Sequence, residues 1–68
     1  MLIMEFKDIL AEYLETHAMS QSEFARLIGI KQSQVSEWLK GKAKPGYDNL
    51  LHILQSTDED AAFWFDLH

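Results

Sequence analysis

The chain has 68 residues, a formal net charge of −5 and no cysteine. A chain of this length forms one small domain that buries only about 60% of its unfolded surface, and without cysteine it has no disulfide and no cysteine-based zinc site. The N-terminal apolar residues are too few for a signal peptide, and no segment is apolar enough to span a membrane. We therefore expect a single cytoplasmic domain over residues 1–68 that does not bind membranes.

The charge is unevenly distributed along the chain. Residues 20–47 carry five basic and two acidic side chains, a net charge of +3, whereas residues 1–19 and 48–68 carry net charges of −3 and −5. An acidic net charge argues against nucleic-acid binding, because most domains that bind nucleic acids are basic. Since the positive charge is confined to one segment, however, the chain can present a basic patch on an acidic body.

Residues 4–17 have the periodicity of an amphipathic helix. Its apolar residues recur every three or four positions and share one face: Phe6, Ile9, Leu10, Tyr13 and Leu14. The opposite face is acidic, so helix 1 is expected to pack on the core. Lys7 could contact a phosphate in a complex with DNA, although a solvated lysine is the simpler interpretation. We expect His17 to interact with the last carbonyl groups of the helix.

Two short helices joined by a tight turn are predicted next. Ser20 and Glu23 form a capping box, which predicts that helix 2 begins at Gln21 and runs to Ile28. Gly29 ends this helix, because glycine adopts a positive φ at little steric cost.

Helix 3 is predicted over residues 32–40. Its apolar side chains, Val35, Trp38 and Leu39, lie at helical spacing and turn inward. The outward side is polar, with Gln34 at its edge, and carries Gln32, Ser33, Ser36, Glu37 and Lys40. A polar outer side is found on any surface helix, so on pattern alone it indicates a solvated face and a binding face equally well.

The pattern over residues 20–54 resembles the helix-turn-helix of phage repressors, Cro proteins and their bacterial relatives. The residues that carry the resemblance are Gln21, Ala25, Gly29, Ile30, Gln32, Ser33, Val35, Gly41 and Pro45. The resemblance implies an all-α fold, a compact bundle of five short helices of the lambda repressor type. It also implies sequence-specific binding of double-stranded DNA by a phage or prokaryotic transcriptional regulator, a repressor or Cro-like protein that reads the major groove with helix 3.

The resemblance places base contacts at Gln32 and Ser33 and a supporting or backbone contact at Gln21. Glutamine can pair with adenine through two hydrogen bonds, and serine can donate or accept at several bases. Lysines in the loop after helix 3 suit phosphate contacts, although a solubilising loop is the simpler interpretation. The expected DNA-binding residues are Gln21, Lys31, Gln32, Ser33, Gln34, Ser36, Lys40, Lys42 and Lys44.

Two positions depart from the family pattern. Lys31 stands where a small capping residue is usual, which leaves the start of helix 3 without an evident cap. Glu37 lies on the outer side, where its carboxylate repels phosphate unless it accepts a hydrogen bond from cytosine N4 or pairs with a lysine.

The C-terminal part predicts two further helices. Helix 4 is expected over residues 47–55, and Ser56 or Thr57 is expected to cap a fifth helix whose first turn is residues 58–60. Three consecutive aromatic residues follow, and they cannot share one face of a helix. They therefore either complete the core or form an interface within residues 56–68. The interface hypothesis predicts a homodimer through Phe63, Trp64, Phe65 and Leu67, with two copies on successive half-sites.

Other function classes find little support in the sequence. No nucleophile, base and orienting group stand at a recognisable spacing, the three histidines lack metal-ligand spacing, and no phosphate-cradling glycine loop is present. We therefore expect neither an enzyme nor a bound metal or cofactor. The alternative to a DNA-binding regulator is a protein-interaction module on the same fold, such as the antitoxin of a toxin–antitoxin pair.

Overall fold

The computed structural model describes residues 5–65, without the side chain of Phe65. These residues form five helices: α1 (Phe6–Thr16), α2 (Gln21–Ile28), α3 (Gln32–Leu39), α4 (Tyr47–Ser56) and α5 (Ala61–Phe65). The described part of the chain contains no strand, so the predicted all-α bundle of five short helices is confirmed.

The start and the end of α2 are as the sequence predicts. The Ser20 hydroxyl accepts a hydrogen bond from the Glu23 amide at 3.1 Å, and the Ser20 amide donates to the Glu23 carboxylate at 2.9 Å. Gly29 has a φ of 77°. The capping box and the left-handed glycine therefore fix the length of α2 from both ends.

Helices α1, α2 and α3 all end with the same backbone motif. In each, a residue with positive φ is followed by an amide that donates to a carbonyl oxygen five residues earlier, which satisfies an otherwise unpaired group. The positive-φ residues are Ala18 (50°), Gly29 (77°) and Gly41 (75°). The corresponding hydrogen bonds, at 2.8 to 3.0 Å, are Met19 to Leu14, Ile30 to Ala25 and Lys42 to Glu37.

The core draws at least one buried side chain from every helix. Its members are Ile9, Leu10, Tyr13, Leu14, Phe24, Ala25, Ile28, Val35, Trp38, Ile53 and Trp64. Trp38 is 1% exposed, which confirms its predicted place on the inward side of α3. Leu39, also predicted to face inward, is half-buried and packs against this core.

The predicted start of the fifth helix is wrong. Thr57 ends α4, because its amide and its hydroxyl both donate to the Ile53 carbonyl oxygen, at 3.0 and 2.8 Å. Helix α5 begins at Ala61, and the Asp60 carboxylate accepts a hydrogen bond from the Phe63 amide at 3.1 Å. Asp60 therefore takes the capping role expected of Ser56 or Thr57.

Trp64 closes the core, so its predicted role in a dimer interface is wrong. It is 1% exposed, and its indole N–H donates to the Thr57 hydroxyl at 3.1 Å. Its ring centroid lies 5.1 Å from that of Tyr13 and 5.9 Å from that of Phe6, both in α1. Phe63 is half-buried and packs against the core. The other two residues of the interface hypothesis, Leu67 and the Phe65 side chain, lie outside what the structure describes.

A polar cluster joins the end of α1 to the connection between α4 and α5. His17 Nδ1 lies 2.9 Å from the Tyr13 carbonyl oxygen, as predicted, and His17 Nε2 lies 3.3 Å from Asp58 Oδ1. The Tyr13 hydroxyl donates to Asp58 Oδ1 at 3.3 Å. Burial, reinforced by the nearby Asp58 carboxylate, raises the pKa of Tyr13. A hydrogen bond from its own backbone amide, together with His17, lowers the pKa of Asp58.

Candidate nucleic-acid interface

Packing of α3 against the core leaves its polar side accessible. Val35 and Trp38 anchor the inward side at 0% and 1% exposure. Gln32, Ser33 and Gln34 are exposed, whereas Ser36 is half-buried. Within residues 5–65, none of these four polar side chains forms a hydrogen bond with another residue. They are therefore free to bond to an external partner.

The N-terminus of α3 has no side-chain cap. Its N-cap residue is Lys31, whose side chain accepts no hydrogen bond from the helix, in agreement with the sequence analysis. The first amides of a helix carry partial positive charge and have no partner within the helix. Together with the exposed Lys31 side chain, they make this end of α3 favourable for an anion.

The N-terminus of α2 is partly occupied by the protein itself. The hydrogen bond from the Ser20 amide lowers the pKa of the Glu23 carboxyl group, which is therefore ionised at neutral pH. This carboxylate and the Ser20 hydroxyl use two of the local amides. Gln21, the first residue of the helix, is half-buried beside them.

The loop after α3 presents three exposed lysines, Lys40, Lys42 and Lys44. Of the ion pairs among the described residues, one joins Lys7 to Glu5 and the other joins His17 to Asp58, so none uses these lysines. The Lys42 amide is held by the Glu37 carbonyl oxygen at 3.0 Å, which fixes the loop directly against the end of α3. The positive charges therefore stand next to the polar side of the helix.

Glu37 and Tyr47 are two further exposed side chains, on α3 and at the start of α4. Glu37 has no ion-pair partner in the described part of the chain, so its negative charge on α3 is not neutralised locally. Tyr47, the first residue of α4, is 75% exposed, which is unusual for a large aromatic side chain. Amphipathic periodicity predicts that Tyr47 belongs to helix 4 but does not predict that its side chain is exposed.

The region that the structure covers has neither a metal-ion cluster nor a membrane-spanning helix. From residue 5 to residue 65, no three His, Cys, Asp or Glu residues are grouped so that they could hold a metal ion. In the same region no helix is long and apolar enough to cross a membrane.

Five helices, with the exposed polar α3 following α2 across the Gly29 turn, have the architecture of a helix-turn-helix domain. A protein-family model described as helix-turn-helix matches residues 10–64. The chain belongs to this family, which is the Cro/C1 type of helix-turn-helix.

A curated relative covers part of the same region. It is an "Uncharacterized HTH-type transcriptional regulator" of Haemophilus influenzae (strain ATCC 51907 / DSM 11121 / KW20 / Rd), 41% identical over 46 residues. The match covers 68% of this chain and 19% of that protein, so the chain spans about a fifth of the length of the curated relative. No solved structure gives a significant match.

Proposed function

We propose that the chain is a sequence-specific regulator that reads the major groove of double-stranded DNA with α3. The observation that carries this proposal is the two-sided character of α3: two buried anchors hold it rigidly, and its exposed side chains lack partners in the described structure. A helix of this kind fits the major groove, where each base pair presents a distinct set of donors and acceptors. The description of the relative as a transcriptional regulator supports a regulatory role.

Base reading is assigned to the first turn of α3. Gln32 and Ser33 occupy the exposed N-terminal end, with Gln34 and Ser36 beside them. An amide side chain can pair with adenine N6 and N7 without bringing a fixed charge into the interface. Gln21, at the start of α2, is assigned a supporting or backbone contact.

Phosphate contacts are assigned to the lysines that flank this surface, namely Lys31, Lys40, Lys42 and Lys44. Phosphate contacts provide affinity and orientation but carry no direct sequence information. Glu37 opposes this attraction, because its exposed carboxylate stands on the same helix. We propose that Glu37 weakens binding to random DNA and is compensated at the preferred site by a hydrogen bond from cytosine N4.

The test of base reading replaces Gln32 by alanine. Preferred sites are first selected from random duplexes, and affinities are then measured on the selected site and on random DNA. Gln32→Ala should cost about 1–3 kcal/mol on the selected site and relax selectivity at one base pair. Gln55→Ala, the same change on the exposed side of α4, is the matched control and should bind normally. An equal loss on selected and random DNA would show that Gln32 reads no base.

The test of the phosphate contacts uses salt dependence. Lys42→Ala should weaken binding to all sequences alike and reduce the slope of log affinity against log salt by about one unit. A triple replacement of Lys40, Lys42 and Lys44 that leaves the slope unchanged would refute the assignment.

We further propose that the chain is a repressor- or Cro-like regulator that binds DNA as a homodimer. One short recognition helix reads few base pairs, and two copies on half-sites about 34 Å apart supply the missing affinity. Trp64 is excluded from the interface because the core buries it, so the contact is assigned to Phe63, Phe65 and Leu67. Sedimentation of the wild type and Phe63→Ala over a concentration series, free and on DNA, is the test. A wild type that stays monomeric on DNA would refute dimerisation.

A further inference from the structure

The first turn of α1 and the loop after α3 meet at a small depression, and half of its lining lies outside the helix-turn-helix pattern. Its volume is about 90 Å³, and its lining consists of Glu5, Phe6, Lys7, Gly41, Ala43 and Lys44. Two of these six residues are lysines: Lys7 precedes α2 and α3 in the chain, and Lys44 follows them. The depression therefore brings a positive charge from α1 to the basic loop.

Lys7 is held at this place by close packing. A Cβ atom built on Gly41 would lie 3.1 Å from Lys7 Cδ and 3.8 Å from Lys7 Nζ, so the stem of the lysine crosses directly over the glycine. Aliphatic lysine stems pack on other residues while the ammonium group stays in water, and the Lys7 side chain is 42% exposed. Its ammonium group is thus positioned at the end of α3.

The partner that Lys7 has in the free protein is weakly held. Lys7 Nζ lies 3.9 Å from Glu5 Oε2, and the Glu5 side chain is 63% exposed. An exposed ion pair at this distance is strongly screened by solvent and contributes little. A phosphate group can displace the carboxylate at little cost, because a lysine ammonium binds phosphate as a compact point charge.

We propose that Lys7 and Lys44 together hold one backbone phosphate of the bound DNA at this depression. The inference rests on the proposed DNA-binding function and adds α1 to the DNA-contacting elements. Glu5 competes with that phosphate for Lys7 and lowers affinity for every DNA sequence. The basic surface is therefore larger than the segment of residues 20–47 in which the sequence concentrates positive charge.

The main variant is Lys7→Met, which removes the charge but keeps an aliphatic stem over Gly41. The slope of log affinity against log salt should fall by at most about 0.9, the value for one phosphate contact, because Lys44 retains part of that contact. If the contact contributes only counterion release, which vanishes near 1 M salt, affinity should fall by at most about fivefold at 0.15 M and about fifteenfold at 0.05 M. The loss should be the same on selected and on random DNA.

The matched control is Arg26→Met, which removes one positive charge from the exposed surface of α2, outside this depression. It should change the slope by well under half as much as Lys7→Met. Glu5→Gln should raise affinity, because it removes the competing carboxylate and leaves Lys7 in place. Thermal unfolding of Lys7→Met should match the wild type, since an exposed ion pair contributes little to stability.

Several outcomes would overturn the inference. A Lys7→Met slope equal to that of the wild type, or an equal change in Arg26→Met, would show that Lys7 contacts no phosphate. Lower thermal stability with an unchanged slope would assign Lys7 a purely structural role at the end of α3. A wild type that binds no duplex DNA would refute the proposed function as well, whereas steep salt dependence in the wild type with no effect of Lys7→Met would refute this inference alone.

Discussion

Replacing Ala18 by glycine should stabilise the protein. Ala18 ends α1 with a φ of 50°, in the left-handed region, and is the sole non-glycine residue with positive φ among residues 5–65. A side chain in that region costs about 1–2 kcal/mol, because Cβ approaches the following carbonyl oxygen. Glycine removes this strain but gains unfolded-state entropy that costs about 0.4–1 kcal/mol. The net gain lies between about 0 and 1.6 kcal/mol, and at its midpoint of about 0.8 kcal/mol the melting temperature should rise by about 3–6 °C.

The other two helix ends provide controls in the opposite direction. At Gly29 a new Cβ would meet no atom within 4 Å, so Gly29→Ala isolates the conformational cost, about 1 kcal/mol. Gly41→Ala should lose at least as much, because its Cβ would lie 3.1 Å from Lys7 Cδ. Gly29→Val should lose more than Gly29→Ala, because a β-branched residue with positive φ is a strong outlier.

Thermal and urea unfolding followed by circular dichroism measure all four variants under the same conditions. The gain from Ala18→Gly must come without a change in the urea m-value, because the surface exposed on unfolding is unaltered. Loss of stability in Ala18→Gly, or full stability in Gly29→Val, would contradict the assignment of left-handed helix ends to this chain.

Three further predictions concern the C-terminal closure of the core. Thr57→Val should lower the free energy of unfolding in urea by about 1–3 kcal/mol, because the buried indole N–H of Trp64 loses its acceptor. The same loss in a Trp64→Phe background would contradict this cause. The pKa of Tyr13 is raised in the folded state, so the neutral hydroxyl contributes fully to the free energy of unfolding below about pH 10. This contribution is lost as pH rises through the folded pKa of Tyr13. Tyr13→Phe should therefore reduce the decline in stability at alkaline pH. The pKa of Asp58 is lowered in the folded state, so its carboxylate contributes to the free energy of unfolding above about pH 3.9. This contribution is lost as pH falls through the folded pKa of Asp58. Asp58→Asn should therefore lose less stability than the wild type between about pH 5 and pH 2.

Local signals in the sequence were sufficient to predict α2. A capping box at one end and a glycine at the other leave few alternatives, and the observed helix, Gln21–Ile28, has the predicted bounds. The end of α1 had no such signal, because alanine rarely adopts a positive φ and nothing in the local sequence marks Ala18 as the residue that reverses the chain.

The fifth helix shows why local signals fail when several candidates compete. Thr57 and Asp60 are both good capping residues, and the choice between them depends on Trp64, whose indole N–H requires the Thr57 hydroxyl. That contact is tertiary, so capping preference alone could not select the start of α5. For the same reason, the aromatic run could not be divided into core and interface before the position of α1 was known.

The candidate site was predictable to the level of residue type and helix face. The sequence identified the exposed polar residues of α3 and the three loop lysines, because periodicity separates the two sides of a helix. It left Lys7 with two interpretations, a solvated lysine or a phosphate contact, since the approach of α1 to Gly41 follows from packing between distant segments.

The position of Trp64 makes the folding of α3 dependent on both ends of the described chain. Tyr13 and Asp58, which are hydrogen-bonded to each other beside Trp64, lie 45 residues apart in the chain. Closing a loop of this length costs conformational entropy before the contacts that it forms contribute stability. Helices α2 and α3 have eight residues each and are too short to persist alone in water. Folding should therefore be all-or-none, and the central amides of α3 should exchange hydrogen only through global unfolding. If α3 binds DNA as proposed, a destabilising core substitution multiplies the apparent affinity by the folded fraction, while the affinity of each folded molecule is unchanged.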